Sequence, residues 1–140
     1  MSAKRRVYFP KLKYPIKLSK HAELRMKQRA GLNTKKRRSE FMKMASKGVL
    51  TLSDIPRSPE FHPLIFYLRQ VYKNVRKKNL FCMLYFYTKY IFIVSIEGTV
   101  VTFLSVDPPY DTFYDQVIKS LEKEDTTPTE PDTLNPETSG

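Results

Sequence analysis

The stretch Ser19-Lys20-His21-Ala22-Glu23-Leu24-Arg25-Met26-Lys27-Gln28-Arg29 places one histidine and two arginines at every fourth position of a predicted helix. At about 100° per residue, the side chains of His21, Arg25 and Arg29 fall within about 80° of one another. The other side of the helix carries charged residues that we expect to face water: Lys20, Glu23 and Lys27. Arginine is seldom buried without a partner, so two arginines facing the protein body beside a histidine predict a pocket for an anion such as phosphate.

The composition predicts one soluble domain. The chain has 140 residues, of which 41% are hydrophobic and 13% aromatic, enough to bury one core. No segment approaches the roughly 18 uninterrupted apolar residues of a membrane span, so no membrane partner is expected. The basic start of the chain lacks an apolar signal core, and the only cysteine is Cys82, which lies in an apolar run. We therefore expect a cytoplasmic location and a core role for Cys82.

The charge is unevenly distributed along the chain. Residues 1–106 hold 23 of the 25 Lys and Arg but only 5 of the 14 Asp and Glu, a net charge of +18 within an overall +11. A body this basic attracts polyanions, and the attraction is sensitive to salt. We therefore expect RNA or another nucleic acid as a partner, the alternative being that the lysines serve solubility alone.

Three segments differ in composition. Residues 1–15 are predicted to be a basic arm, residues 16–123 a single domain, and residues 124–140 a disordered acidic tail rich in Thr and Pro. Within the domain, Ser19 is a predicted N-cap for a helix that stops at Gly31. A second helix is predicted from Thr34 to Lys47, ended by Gly48 and burying Phe41, Met44 and Ala45.

The second half of the chain is rich in β-branched and aromatic residues. It predicts strands over 64–72, 80–87, 90–96 and 99–106, after a short strand at 49–52. The connections are short, with Glu97-Gly98 as a two-residue hairpin turn, which favours antiparallel neighbours. We expect the aromatic sheet to have one buried and one wet face. A last helix is predicted from Asp111 to Lys123.

These residue types suit phosphodiester chemistry. RNA cleavage without a metal needs a base, an acid and cations that stabilise the charged phosphorane. His21 can serve either proton role near neutral pH, Arg25 and Arg29 can hold the phosphate, and Thr102 can orient the scissile group. The alternative for the arginines is an internal ion-pair network with Glu97 or Asp54. Two basic runs are further candidates for nucleic-acid binding: Lys35, Lys36, Arg37 and Arg38, and Arg76, Lys77 and Lys78.

The pattern Leu18-Ser19-Lys20-His21-Ala22-(x)2-Arg25-Met26-(x)2-Arg29 resembles the N-terminal helix of small bacterial and phage proteins related to RNase toxins. These form the RelE-like group within the barnase, endonuclease-U and colicin RNase superfamily. In that group the helix precedes a curved antiparallel sheet, often ending in a strand similar to Val100-Val101-Thr102-Phe103-Leu104. The resemblance covers about residues 16–106 and implies that His21, Arg25, Arg29 and Thr102 line an RNase-type cleft.

We therefore expect an α+β fold in which N-terminal helices pack on a curved antiparallel sheet of about four strands, followed by a C-terminal helix and the tail. The first functional hypothesis is a toxin-like endoribonuclease without metal or cofactor, acting on free or ribosome-bound RNA and restrained by an antitoxin or immunity protein. The second is a non-catalytic nucleic-acid-binding protein of phage or mobile-element origin. The third is a structural or assembly protein whose basic face docks on an acidic partner. No second proton-transfer residue is evident in the sequence.

Overall fold

The computed structural model describes residues 6–78 and 81–126, and these form four helices and one four-stranded sheet. The helices are α1 (Lys20–Ala30), α2 (Lys35–Ser46), α3 (His62–Arg76) and α4 (Phe113–Thr126). The strands are β1 (Lys17–Leu18), β2 (Cys82–Tyr87), β3 (Tyr90–Ser95) and β4 (Thr99–Ser105). Among the described residues, no helix combines the length and apolar character needed to cross a membrane.

The sheet confirms the predicted α+β class and is curved and open, with the strand order β1-β4-β3-β2. Strands β2, β3 and β4 form the predicted antiparallel meander. The two-residue β1 runs parallel to β4, so the sheet is mixed rather than wholly antiparallel. Residues 49–52 contribute only one bridge, between Leu50 and Phe86, in place of the expected strand.

Both faces of the sheet are covered, so the expectation of one wet face is wrong. On one face, Ala22 and Met26 of α1 pack with Met42 and Ala45 of α2 against the sheet. The other face meets α3 and α4, through apolar residues that include Leu64, Leu68 and Val117. Strands buried on two sides need apolar residues at successive positions. This explains the unbroken burial of residues 91–94 in β3 and the complete burial of Tyr85.

The predicted strand at 64–72 is wrong, because these residues belong to the helix α3. Its buried residues are Leu64, Ile65 and Leu68, at the i, i+1 and i+4 spacing of one helical face. Pro63 lies in the first turn, where a missing backbone N–H costs nothing. The β-branched and aromatic content of the segment fits a buried helix face equally well.

Two smaller predictions also fail. In α2 the buried methionine is Met42, whereas Met44 is 64% exposed. The β3–β4 connection has three residues rather than two, since β3 ends at Ser95 and β4 begins at Thr99. Its Gly98 has a φ of +92°, and a Cβ there would lie 2.5 Å from the carbonyl oxygen of Pro15. Glycine at this turn therefore lets residues 15–17 pass close over the hairpin.

The chain before β1 is held against the body. Phe9 is buried and meets the rings of Tyr85 and Phe92 edge to face, with centroids 5.0 and 5.3 Å apart. The hydroxyl of Tyr85 donates a hydrogen bond to the carbonyl of Pro10. Residues 1–5 of the predicted arm lie outside the described residues. At the other end, α4 continues to Thr126, and residues 127–140 of the predicted tail lie outside the described residues.

Two buried tyrosines make the fold sensitive to alkali. Burial, reinforced by the charge of Asp54, raises the pKa of Tyr85 to about 12, and burial likewise raises the pKa of Tyr114 to about 12. Because an unfolded tyrosine loses its proton near pH 10, the folded state holds these protons more tightly. We expect full stability below pH 10 and a progressive loss between about pH 10 and 12. The free energy of unfolding, measured in urea at each pH, tests this.

The matched variants are Tyr85→Phe and Tyr8→Phe, since Tyr8 is an exposed tyrosine. Tyr85→Phe removes a hydrogen bond and costs about 1 kcal/mol at neutral pH. Tyr85→Phe also reduces the fall in the free energy of unfolding between about pH 10 and 12. Tyr8→Phe changes neither the stability at neutral pH nor this fall. An equal alkaline slope in all three proteins would exclude Tyr85 as a source of the effect.

Candidate nucleic-acid interface

The helix α1 begins and ends where the sequence predicts. The hydroxyl of Ser19 accepts a hydrogen bond from the backbone N–H of Ala22 at 3.0 Å, and Gly31 closes the helix with a φ of +67°. The buried side chains of this helix are Ala22 and Met26. His21, Arg25 and Arg29 therefore lie beside the buried face of the helix and do not face the core, contrary to the prediction.

The helix α1 runs along the outer edge of β4. Strand β1 pairs with β4 only at Thr99 and Val100, and no other strand of the described residues lies along the rest of that edge. Ser19 continues the pairing, because its N–H donates to Val100 at 3.1 Å and its hydroxyl donates to the Val101 carbonyl at 3.3 Å. Further along, Arg29 Nη1 donates to the carbonyl of Phe103 at 3.0 Å. Both ends of α1 thus satisfy edge carbonyls of β4.

A β-bulge lies where α1 meets this edge. Ile93 pairs with Thr102 and Val94 pairs with Val100, so Val101 is an extra residue in β4. Such a bulge disrupts the ladder locally and re-aims the neighbouring side chains. Here Val101 and Thr102 both line a groove beside the start of α1.

The groove has a volume of about 370 Å³ and is built by three elements. Its lining residues come from the first turn of α1, from β4 and from the end of α3 and the residues just after it: His21; Val101 and Thr102; Asn74, Val75 and Lys78. His21 and Lys78 are exposed, and neither side chain forms a hydrogen bond within the described parts of the chain. An imidazole, a hydroxyl, an amide and an ammonium are therefore available together to an entering ligand.

The structure brings two of the four predicted catalytic residues into this groove, His21 and Thr102, and places the two arginines elsewhere. Arg25 is half-buried and donates to Gln28 Oε1 at 3.1 Å, within its own helix. Arg29 holds the edge of β4. Among the described residues neither arginine pairs with a carboxylate, so the alternative of an internal ion-pair network is not observed.

The cation of the groove is Lys78, which sequence reasoning did not place beside His21. It assigned Lys78 to a turn between two strands, whereas the turn follows a helix that packs across the sheet. The signal for that helix was present in the spacing of Leu64, Ile65 and Leu68. Asn74 is a second groove residue that the sequence did not indicate, for the same reason.

The predicted basic runs lie on different surfaces. In the first turn of α2, Lys35, Lys36 and Arg37 are exposed, and Lys35 and Arg38 line a second cavity. Beside the groove, Arg76 lies over the ring of Tyr72, with its guanidinium carbon 5.5 Å from the centroid. The helix α3 contains no Asp or Glu, and three of its cations are exposed: Arg69, Lys73 and Arg76.

The described residues contain no group of three His, Cys, Asp or Glu side chains placed to hold a metal ion. Cys82 is buried at the start of β2, as predicted, and burial raises the pKa of its thiol.

Comparison of the chain with protein-family models, with curated proteins and with solved structures found no match. The RelE-like resemblance therefore stays a prediction, and the functional proposal rests on the groove.

The two N-caps give a direct test of how α1 is anchored. Ser19 both caps α1 and donates to Val101, whereas Thr34 only caps α2, by accepting from the Arg37 N–H at 3.1 Å. Loss of a cap costs about 1 kcal/mol, and loss of the second bond adds to this. We expect Ser19→Ala to destabilise the protein by about 2 kcal/mol and Thr34→Ala by about 1 kcal/mol in urea unfolding. Equal costs would show that the bond to Val101 contributes nothing.

Proposed function

We propose that this protein is a metal-independent endoribonuclease that binds and cleaves RNA in the groove formed by α1, β4 and the end of α3. The observation that carries the proposal is the convergence of His21, Thr102 and Lys78 from three separate elements. An exposed imidazole beside a cation and two hydrogen-bonding side chains is a constellation that suits phosphoryl chemistry. The sequence resemblance points to the same chemistry.

The groove residues suggest a division of roles. His21 takes the proton from the 2′-hydroxyl, whose oxygen then bonds to phosphorus as the bond to the 5′-oxygen breaks. The products are a 2′,3′-cyclic phosphate and a 5′-hydroxyl, with water supplying the proton to the leaving oxygen. Lys78 stabilises the negative charge that grows on the phosphoryl oxygens. Thr102 and Asn74 donate hydrogen bonds that fix the orientation of the phosphate.

The helix α3, whose end borders the groove, supports a polyanion as the substrate. It carries three exposed cations and no acidic residue. Contacts between such cations and phosphates fix a nucleic-acid backbone without reading its sequence. The need for a 2′-hydroxyl then selects RNA over DNA at the step of cleavage.

A second candidate function is nucleic-acid binding without cleavage. The observation in its favour is that His21 is the only imidazole among the groove-lining residues, and no carboxylate accompanies it there. A groove with one proton-transfer side chain and the ammonium of Lys78 still holds a phosphate of a nucleic-acid backbone. The two candidates share the binding surface and differ in the consequence of removing His21.

The two histidines of the chain provide a matched pair for testing cleavage. His62 is exposed at the start of α3, and its ring lies 3.3 Å from the carbonyl of Arg57. With labelled RNA in EDTA, we expect His21→Ala to lower the cleavage rate by about 10²–10⁴-fold, the usual contribution of a positioned acid or base. His62→Ala leaves the rate unchanged, and both variants retain RNA affinity. Cleavage that persists in His21→Ala excludes the assigned role, and RNA binding without any cleavage by the wild type establishes the second candidate.

The role of Lys78 is tested by the salt dependence of RNA binding. Removing one phosphate-contacting cation lowers the slope of log affinity against log salt by about 1. We expect this change in Lys78→Gln. The control is Lys119→Gln, since Lys119 is an exposed lysine of α4 and does not line the groove. Equal slopes for the two variants would place RNA away from the groove.

A further inference from the structure

A second cavity lies on the opposite flank of α1 from the groove. His21 and Glu23 are two residues apart, hence about 200° apart around the helix, and they line the groove and this cavity respectively. The cavity has a volume of about 730 Å³, which is within the range of small-molecule sites. Its walls come from α1, from α2 and from residues 6–18.

The cavity combines positive charge with an apolar wall. Four cations line it, Arg6, Lys17, Lys35 and Arg38, against the single carboxylate of Glu23. The apolar part of the wall includes Met42, whose side chain is buried in the core cluster between α2 and the sheet. An inorganic anion would use only the cations. A ligand that matches the whole cavity has an anionic group, an apolar or planar body and a donor for Glu23.

Arg38 is fixed in place before any ligand arrives. Its Nη1 donates to the carbonyl of Leu32 at 3.0 Å, which orients the half-buried guanidinium on the cavity wall. Its Nε is buried and has no hydrogen-bond partner among the described residues. A guanidinium has five N–H donors, so its remaining groups can take a phosphate.

The charge at this end of α2 is not balanced within the helix. The first turn contains no acidic residue, and Lys35 and Arg38 add to the positive end of the helix dipole. Cations at a helix N-terminus destabilise it, and a bound anion reverses that effect. The cavity is therefore electrostatically suited to an anion at the part of its wall formed by Lys35 and Arg38.

We propose that this cavity binds a nucleoside phosphate, with the phosphate against Lys35 and Arg38 and the base against the apolar wall at Met42. The exocyclic amino group of an adenine or cytosine donates a hydrogen bond to Glu23, a contact that uracil does not offer. The same chemistry is presented by a mononucleotide in solution and by the terminal nucleotide of an RNA. The proposal is independent of the RNase proposal, since it uses none of the groove residues.

The test measures binding of AMP, UMP and inorganic phosphate by isothermal titration of the full chain, with the Met42 methyl resonance as a second readout. We expect AMP to bind more tightly than UMP, and AMP but not phosphate to shift the methyl resonance. Lys35→Gln weakens AMP binding by about tenfold, as expected for one lost charged contact. The matched control is Lys36→Gln, because Lys36 is the next residue, has the same charge and is exposed like Lys35, but does not line the cavity.

Glu23→Ala removes the hydrogen-bond acceptor, and with it the preference for AMP over UMP, without weakening the binding of phosphate. Equal losses in Lys35→Gln and Lys36→Gln, or phosphate binding as tight as AMP binding, would overturn the proposal. No binding of AMP at millimolar concentration, together with no binding of a 5′-phosphorylated oligonucleotide, would also overturn it. Tighter binding of AMP than of that oligonucleotide identifies a free nucleotide as the ligand, and the reverse order identifies an RNA end. Because cleavage of RNA is not part of this assay, its outcome is distinct from the test of His21.

Discussion

The constraint on which the rest of this structure depends is the burial of the β2–β3–β4 meander on both faces. Because α1 and α2 cover one face while α3 and α4 cover the other, successive residues along the central strand are apolar. No face of the sheet is left to carry polar groups into solvent. Polar chemistry contributed by the sheet is thereby restricted to its edges and to the ends of its strands. The groove at Val101 and Thr102 lies beyond the part of β4 that pairs with β1, where the described part of the chain adds no strand to this edge.

That location also explains why one groove draws side chains from both helical layers. The start of α1 is fixed to the bulged part of β4 by the backbone and hydroxyl of Ser19, and His21 and Thr102 line the same groove. The turn that follows α3 belongs to the opposite layer and contributes Lys78.

How much the sequence predicts depends on whether a feature is local. The caps at Ser19, Thr34 and Gly31 follow from side-chain and backbone chemistry within one turn, and they are confirmed. The three long strands follow from composition. The segment from Leu64 to Tyr72 shows the limit, because two-sided burial favours the same residue types in strands and helices, and only the spacing distinguishes them. The orientation of Arg25 and Arg29, and the presence of Lys78 and His21 in one groove, depend on tertiary packing, which no local pattern encodes.

The shortness of β1 has a consequence for solubility. A sheet edge with unpaired N–H and C=O groups is a template for a strand from another molecule. Beyond Val100, this edge of β4 is covered by the helix α1. The side chains of Ser19 and Arg29 donate hydrogen bonds to the carbonyls of Val101 and Phe103. Any change that detaches α1 therefore exposes both an apolar face and a strand edge, and the chain becomes prone to intermolecular strand addition and aggregation. The helix α1 thus protects the chain against self-association, besides carrying the groove residue His21.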